Sequence, residues 1–394
     1  MNSVIKKIFT TKTALVILAF IAFISLGLPD GLLGVAWPSI RKSFSLPLDS
    51  LGVLLIFAVS GYIISSSLNG KIMSRLGVGG LLAVSCAVTG IALIGFTLVP
   101  EWWMLVAVGF GLGVGAGAID AGINTYVASN FGERLMQWLH ASWGIGVTLG
   151  PVIMTIGINY FHTWRWGYAI VGAAQLALAV SFASTLSMWR KNNYNPATDK
   201  KLLTDYKTPF SETLRLPAVW LSILMFFLYT GIESTLGNWT YTLLTESRNI
   251  NSELAGFWAG SYWAMFTFGR IMAGFYTKRL GNNKLLMLSL LAALVGAILI
   301  WWDLNNIMSL SGVVIIGYAV APIFPGLVSG TSERVGKRNA ANTIGMQLGA
   351  AGLGVAVLPG LAGVLARHIS LEIIPVFLIV IIAALLGLVF ISQR

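Results

Sequence analysis

Long runs of apolar residues alternate with short polar connections along almost the whole chain. Each run holds about 20 residues or more, and at about 1.5 Å per residue such a helix crosses the roughly 30 Å of hydrocarbon in a bilayer. The pattern therefore predicts an all-α polytopic membrane protein with twelve transmembrane helices, six in each half. In order, the predicted spans are 14–39, 51–74, 79–99, 103–129, 138–161, 167–189, 217–244, 254–277, 284–302, 309–330, 342–366 and 373–391.

Two repeated phrases indicate that the halves are copies of one unit. Residues 70–77 read GKIMSRLG and residues 274–281 read GFYTKRLG, and each phrase follows the second predicted span of its half. Residues 144–151 (GIGVTLGP) and 352–359 (GLGVAVLP) match in the same way within the fifth span of each half. Internal repetition in such an apolar chain is typical of secondary transporters.

One long polar connection separates the two predicted domains. Residues 1–189 form the N-terminal six-helix half and residues 217–394 the C-terminal half, and the linker 190–216 is expected to be a solvated cytoplasmic tether. Lys and Arg residues concentrate at the linker and at every second connection, which places both termini in the cytoplasm. We expect a multi-pass protein of the plasma (cytoplasmic) membrane.

Composition excludes most soluble functions. Apolar residues make up 56% of the chain and charged residues only 10%, whereas soluble domains carry about 25% charged residues. The net charge of +11 follows the predicted membrane sides, so we expect no nucleic acid partner. The first apolar run is longer than a signal peptide and is kept as a span. Cys86 is the single cysteine, and we expect no metal site, no cofactor and no enzymatic activity.

The fourth predicted span carries a glycine at every second position from Gly109 to Gly117. This spacing does not match the dinucleotide-binding pattern GxGxxG, and no strand is predicted before it. Small residues let helix backbones approach closely in a membrane. We therefore predict close helix packing at this run, in preference to a ligand cradle.

These features together resemble the major facilitator superfamily over essentially the whole chain. The duplication, the GxxxxRxG phrase after the second and eighth spans, and the glycine-proline ending of the fifth span carry the resemblance. Ser74 departs from the aspartate usual in that phrase, which affects a charge-relay gate and leaves the fold unaffected. Local phrases are similar to the fucose/glucose/galactose proton symporter branch, namely DAGIN at 120–124, HASWG at 140–144, GIE at 231–233, GNW at 237–239 and PIFP at 322–325.

Three carboxylates lie within predicted spans, namely Asp30, Asp120 and Glu233. A charge at mid-membrane costs at least about 2.5–3.5 kcal/mol on insertion scales, so such residues are usually functional. The resemblance implies that their helices line a central cavity and that the acids couple protons to transport. The alternative is a carboxylate paired with an amide or hydroxyl for packing. Asp30 follows Pro29, so we expect a broken helix at this acid.

Aromatic faces and amides near these acids are candidate sugar contacts, because sugar rings present apolar C–H faces and polar rims. Asn124 lies one helical turn after Asp120 and is placed to meet either a ligand or that acid. His140 is equally consistent with a satisfied hydrogen-bonding group, and Arg270 is expected to snorkel or pack near a span end. The candidates are Asn124, His140, Trp143, Trp37, Asn238, Trp239 and Gln347. The repeated bases Arg75 and Arg279 are predicted to shape a cytoplasmic gate.

Three classes of function are compatible with these residues. Proton-coupled symport of a monosaccharide or related polyol by alternating access is favoured by the symporter-like phrases. Proton-driven efflux of drugs or other small molecules is the alternative, supported by the partly antiporter-like phrase from Gly146 to Pro151. A receptor or scaffold that transports nothing is disfavoured by the three intramembrane acids. Sodium stays an alternative coupling ion, since carboxylate, amide and hydroxyl oxygens can serve either protons or sodium. We expect a monomer.

Overall fold

The computed structural model describes residues 2–130, 133–190 and 208–393, and within these ranges the chain forms helices and no strands. The chain divides into two compact units. Unit 1 comprises Met1–Ile40 and Phe57–Ala197, and unit 2 comprises Arg41–Ile56 and Thr198–Arg394. Most of the predicted linker 190–216 lies outside the described residues.

Unit 1 is built from the first six helices around one apolar core. Side chains such as Phe23, Ile119 and Phe182 form this core and are at most 1% exposed. The helices are α1 (Asn2–Ser43), α2 (Ser50–Leu98), α3 (Trp102–Asn130), α4 (Glu133–Phe161), α5 (Arg165–Ser184) and α6 (Leu186–Arg190). The adjoining ends of α1 and α2 extend into unit 2.

Unit 2 contains the remaining helices. In this unit α8 packs against α14, α10 packs against α11 and α15, and α11 packs against α9. A π-helical turn, Leu243–Ser247, extends α8. The helices are α7 (Phe210–Thr213), α8 (Pro217–Thr242), α9 (Ser252–Leu280), α10 (Asn282–Trp302), α11 (Asn306–Val320), α12 (Ile323–Ser329), α13 (Thr331–Val335), α14 (Lys337–His368) and α15 (Ile373–Ser392).

Ten segments of the described chain are long and apolar enough to cross a membrane. One of them, α2, has 49 residues and contains the second predicted span and all but the last residue of the third. The eighth predicted span forms α9, which is not among the ten. The all-α polytopic fold predicted from the hydrophobic pattern is thus confirmed, and each of the twelve predicted spans corresponds to helical structure.

The repeated phrase ends in a one-residue turn in both units. Gly77 interrupts α2 with φ 69° and ψ 171°, and Gly281 joins α9 to α10 with φ 75° and ψ 154°. Gly336, between α13 and α14, has nearly the same conformation, with φ 76° and ψ 153°. Only glycine adopts this region without strain. The closing glycine of the phrase is therefore required by the backbone.

The expected break of the first helix at Asp30 is wrong. Helix α1 runs without interruption from Asn2 to Ser43 and contains both Pro29 and Pro38. Proline is tolerated within membrane helices where neighbouring groups satisfy the freed backbone carbonyls. The interruption occurs instead in the tenth predicted span, where α11 ends at Val320 and α12 begins after Pro322.

Candidate functional site

Glycines bring α1 and α4 of unit 1 into backbone contact. A Cβ atom at Gly27 would lie 2.3 Å from the backbone oxygen of Trp143, and one at Gly146 would lie 2.0 Å from that of Ile24. No side chain therefore separates the helices at this crossing. As a result the exposed carboxylate of Asp30 accepts a hydrogen bond from the Trp143 indole Nε1, at 3.3 Å. The repeated glycine-rich phrase thus serves helix packing.

A second glycine crossing joins α2 to α3. A Cβ atom at Gly113 would lie 1.8 Å from the backbone oxygen of Ala58, and one at Gly117 would lie 2.4 Å from that of Tyr62. This close approach confirms the interpretation of the glycine run as a packing feature. It also places Tyr62 on α2 next to Asp120 on α3.

Both carboxylate oxygens of Asp120 accept hydrogen bonds. The Tyr62 hydroxyl donates to Oδ2, and the Asn124 Nδ2 donates to Oδ1 at 2.8 Å. Asp30 also interacts electrostatically with Tyr62. We call Asp30, Tyr62, Asp120, Asn124 and Trp143 the Asp120 cluster. It joins two acids, an amide, a phenol and an indole within the membrane-spanning part of unit 1.

His140 lies on the same helix as Trp143 and one turn before it. Its side chain is exposed. Its ring packs edge to face against Phe23, with the ring centroids 5.5 Å apart. Of the predicted sugar contacts, Asn124, His140 and Trp143 are therefore accessible in unit 1, and two of these three belong to the Asp120 cluster.

Unit 2 holds a second acidic cluster around Glu233 of α8. The Tyr229 hydroxyl donates to Glu233 Oε2 at 2.5 Å, and the Tyr262 hydroxyl of α9 donates to the Glu233 backbone oxygen at 3.0 Å. Arg270 of α9 interacts electrostatically with Glu233, and its guanidinium carbon lies 4.3 Å from the Phe266 ring centroid. A positive charge thus accompanies the acid in this cluster, which we call the Glu233 cluster.

Four predicted sugar contacts pack inside their own units. Trp37, Trp239 and Gln347 are each 0% exposed, so they offer no surface to a ligand in this conformation. Gln347 exchanges hydrogen bonds with Thr331 at 3.1 Å. Asn238 is 9% exposed and donates to a backbone oxygen of its own helix. Within unit 1, Trp37 packs against Trp102 and does not belong to the Asp120 cluster.

Arg75 and Arg279 occupy equivalent places in the two units. Each lies two residues before a glycine with positive φ, and each is exposed. Among the described residues, neither forms an ion pair within 4.0 Å. Their role in a gate stays a prediction.

Two ion pairs hold the segment 41–56 on unit 2. Arg41 Nη2 donates to Glu246 Oε1 at 2.6 Å, and Arg367 Nη1 donates to both Asp49 carboxylate oxygens at 3.1 Å. These side chains are between 25% and 48% exposed. Pairs of such exposure contribute little to stability, typically about 0–1 kcal/mol each.

A more buried ionic network surrounds Arg248 at the end of the π-helical turn. Its side chain is 5% exposed and pairs with Asp303 at 3.2 Å and with Glu372 at 2.7 Å. It also donates to the Ser309 hydroxyl at 3.0 Å. Burial raises the pKa of the Glu372 carboxyl, but hydrogen bonds from Arg248 and Ser247 and the Arg248 charge outweigh it and hold that pKa below its ordinary value.

Three residues of the two clusters were not singled out from the sequence, namely Tyr62, Tyr229 and Tyr262. Arg270 was expected only to snorkel or pack near a span end, and in the structure it packs on Phe266 and also accompanies Glu233. Tyr229 precedes Glu233 by one helical turn, so the i, i+4 spacing is a signal that points to it. Tyr62 and Tyr262 reach their partners from other helices, and the sequence carries no signal for that.

Within the described residues, no group of three or more His, Cys, Asp or Glu side chains is placed to hold a metal ion.

Curated relatives share low identity over most of the chain. The glucose/mannose transporter GlcP of Bacillus subtilis is 24% identical over 308 residues, which cover 77% of this chain and 76% of that protein. The human sodium-dependent glucose transporter 1 is 23% identical over 386 residues, covering 87% and 72%. Bypass of stop codon protein 6 of Saccharomyces cerevisiae is 25% identical over 401 residues, covering 93% and 80%.

Solved structures match the whole fold. A bacterial homologue of the human lysosomal transporter Spinster, in an inward-facing and unoccupied conformation, has a TM-score of 0.79 at 14% identity and covers 98% of this chain and 97% of its own. The nucleoside transporter NupG has a TM-score of 0.77 at 15% identity, with 96% and 99% covered. The family model for the Major Facilitator Superfamily matches residues 15–350 and 243–393. The chain is therefore a membrane transporter of the Major Facilitator Superfamily.

Proposed function

We propose that this transporter carries a monosaccharide or related polyol together with protons, by alternating access. The observation that carries the proposal is the Asp120 cluster, in which an exposed acid, an aromatic face and hydrogen-bonding side chains lie together in the membrane-spanning part of unit 1. Intramembrane acids of this kind mark substrate and ion pathways. The relatives named as glucose transporters support a sugar as the substrate.

The cluster has the chemistry that a sugar requires. Carboxylate oxygens of Asp30 accept hydrogen bonds from sugar hydroxyl groups, and the half-buried indole of Trp143 offers a flat face to the C–H side of the ring. The Oδ1 atom of Asn124 remains as an acceptor, because its Nδ2 is committed to Asp120. Polar groups therefore surround one aromatic face, as ligand sites in proteins usually do.

Asp30 is the proposed coupling acid. Its carboxylate is exposed, whereas both oxygens of Asp120 accept internal hydrogen bonds and Glu233 is accompanied by Arg270. Asn at position 30 imitates the protonated acid but cannot release a proton. We expect Asp30→Asn to retain substrate binding and exchange and to lose accumulation driven by a pH gradient. Accumulation by this variant under a proton gradient alone would transfer the coupling role to Asp120 or Glu233.

The test is uptake by proteoliposomes in sodium-free buffer, with inward or outward proton gradients, a panel of radiolabelled monosaccharides and polyols, and a fluorescent cationic dye. Sugar accumulation driven by an inward proton gradient supports the proposal. Accumulation that requires a sodium gradient would make the protein a sodium symporter, and the human relative's name makes this arm necessary. Dye extrusion without sugar uptake would replace symport by drug efflux.

Efflux has less support from the structure than from the sequence. The residues from Gly146 to Pro151, which partly resemble an antiporter phrase, lie where α4 crosses α1. Glycines there allow the two backbones to touch. Helix packing accounts for it. In the proposed topology both termini are cytoplasmic in the plasma membrane, and Arg75 and Arg279 shape the cytoplasmic gate of the two six-helix halves.

A further inference from the structure

We propose that Tyr62 is a positioning residue that links the protonation of Asp120 to the hydrogen bonds offered to the substrate. The proposal rests on the proposed function and extends it to a residue outside the predicted site. The residue lies on α2, half-buried, with its hydroxyl on Asp120 of α3. The glycine crossing of α2 and α3 holds the two side chains together.

The observed hydrogen bonds fit an ionised Asp120. Both of its oxygens act as acceptors, one from the Tyr62 hydroxyl and one from the Asn124 Nδ2. A phenol has one proton to donate and retains acceptor capacity, whereas an amide nitrogen only donates. The carboxylate thus uses the only donor proton of Tyr62.

Protonation of Asp120 reverses one of these hydrogen bonds. A proton on Oδ1 would face the Asn124 N–H and force the amide to turn over. A proton on Oδ2 needs only the Tyr62 hydroxyl to rotate about its C–O bond and accept, which is the smaller change. Tyr62 keeps its own proton throughout, so one proton enters Asp120 and none leaves the phenol. The Tyr62 O–H is then directed elsewhere.

The released O–H can then donate to another acceptor near Tyr62. Among the described residues, the charges of Asp120 on α3 and Asp30 on α1 act on the Tyr62 hydroxyl. The titratable ring of His140 on α4 packs against Phe23. A sugar held at Asp30 therefore meets a Tyr62 donor only when Asp120 is protonated. Proton binding at Asp120 and sugar binding favour one another through this donor, and such coupling is reciprocal. It makes sugar affinity depend on pH, while the proton that drives accumulation is carried by Asp30 as proposed above.

The experiment compares Tyr62→Phe with Tyr168→Phe. The first variant keeps the ring and removes the hydroxyl. The matched control removes another buried hydroxyl of unit 1, one that has no hydrogen-bond partner among the described residues. We measure the Kd of radiolabelled glucose between pH 5 and 8. Because one hydrogen bond contributes about 0.5–1.5 kcal/mol, the ratio of Kd at high and low pH should fall by about two- to tenfold in Tyr62→Phe only.

A second measurement needs no substrate. Infrared difference spectra on acidification should show a C=O stretch of protonated Asp120, identified by its loss in Asp120→Asn. In Tyr62→Phe this band should move to higher frequency, because the carboxyl O–H loses its acceptor, and in Tyr168→Phe it should not move. An unmoved band in Tyr62→Phe, or a wild-type pH dependence of Kd in that variant, would overturn the proposal. If the band shifts in Tyr62→Phe but the wild type binds no glucose, the result would count against the proposed substrate and not against the role of Tyr62.

Discussion

Replacing Arg248 should destabilise this transporter more than replacing any of its exposed arginines. The Arg248 side chain is 5% exposed and neutralises two carboxylates, Asp303 and Glu372. In Arg248→Met the long apolar side chain fills much of the same space but leaves both acids without their cation. The Ser309 hydroxyl also loses the hydrogen bond that Arg248 donates to it.

The magnitude follows from how buried each partner is. Breaking a buried ion pair by removing one partner costs about 3–5 kcal/mol. The lower end applies here, because Asp303 and Glu372 are 30% and 43% exposed and regain water contacts. We expect about 3 kcal/mol, which at about 2–4 °C per kcal/mol lowers Tm by roughly 6–12 °C. Arg367→Met is the matched control, since the Arg367–Asp49 pair is half exposed and contributes only about 0–1 kcal/mol.

The contribution of Glu372 should depend on pH with a defined sign. Its folded-state pKa lies below the ordinary value, so its contribution is complete above the unfolded pKa of about 4.3 and is lost as pH falls through the folded pKa. Glu372→Gln cannot titrate. The difference in Tm between wild type and this variant should be constant from pH 8 to about pH 5 and should shrink below about pH 4.

Thermal unfolding of purified protein in detergent, followed by intrinsic tryptophan fluorescence, measures all three variants. Equal Tm losses in Arg248→Met and Arg367→Met would show that burial does not set the strength of these ion pairs. A Glu372→Gln difference that grows as pH falls would reverse the predicted sign. Either result would refute the account of the Arg248 network.

Three further predictions concern the glycine turn between α9 and α10, the candidate site and the predicted gate. Gly281→Ala should lower stability by about 1–3 kcal/mol in the same assay, because its φ of 75° suits only glycine while a Cβ there meets no atom within 4 Å; the helical control Gly274→Ala, also in open space, should be neutral or mildly stabilising. Trp143→Ala should weaken substrate binding in detergent more than it reduces expression, and unchanged affinity would assign Trp143 to packing. Substituting Arg75 or Arg279 with Ala should slow transport in proteoliposomes and preserve binding, and the reverse result would exclude a gating role.

The helices were predictable because membrane insertion imposes a length and an apolar composition on each span. The repeated phrase lies at the ends of the second and eighth predicted spans, and the positive φ of Gly77 and Gly281 supplies the physical reason for its closing glycine. The break expected at Asp30 was wrong because the effect of a proline depends on its neighbours. Pro29 lies within a continuous α1, whereas Pro322 lies between two helices. A second proline, Pro325, follows Pro322 after three residues, and Pro29 has no such neighbour.

The candidate site was predictable only in part. Asp120 and Asn124 pair because they lie one helical turn apart on the same helix, which the sequence shows. Tyr229 and Glu233 have the same spacing and also pair, although Tyr229 was not predicted. Tyr62 and Arg270 reach their acids from other helices, so their partners depend on how helices cross. Trp37 and Trp239 were chosen for their residue type, and residue type does not indicate whether a membrane tryptophan faces a cavity or the core.

The glycine crossings connect the packing of the helices with the geometry of the candidate site. At each crossing the absent Cβ allows a backbone contact, and an acid lies within three residues of a crossing glycine on the same helix: Asp30 follows Gly27, and Asp120 follows Gly117. Each acid then reaches a partner on the helix that its own helix crosses, Trp143 for Asp30 and Tyr62 for Asp120. A hydrogen bond tolerates only a few tenths of an ångström of added separation. Helix separation therefore sets the geometry of the acids, so the crossing glycines are part of the candidate site that these acids form.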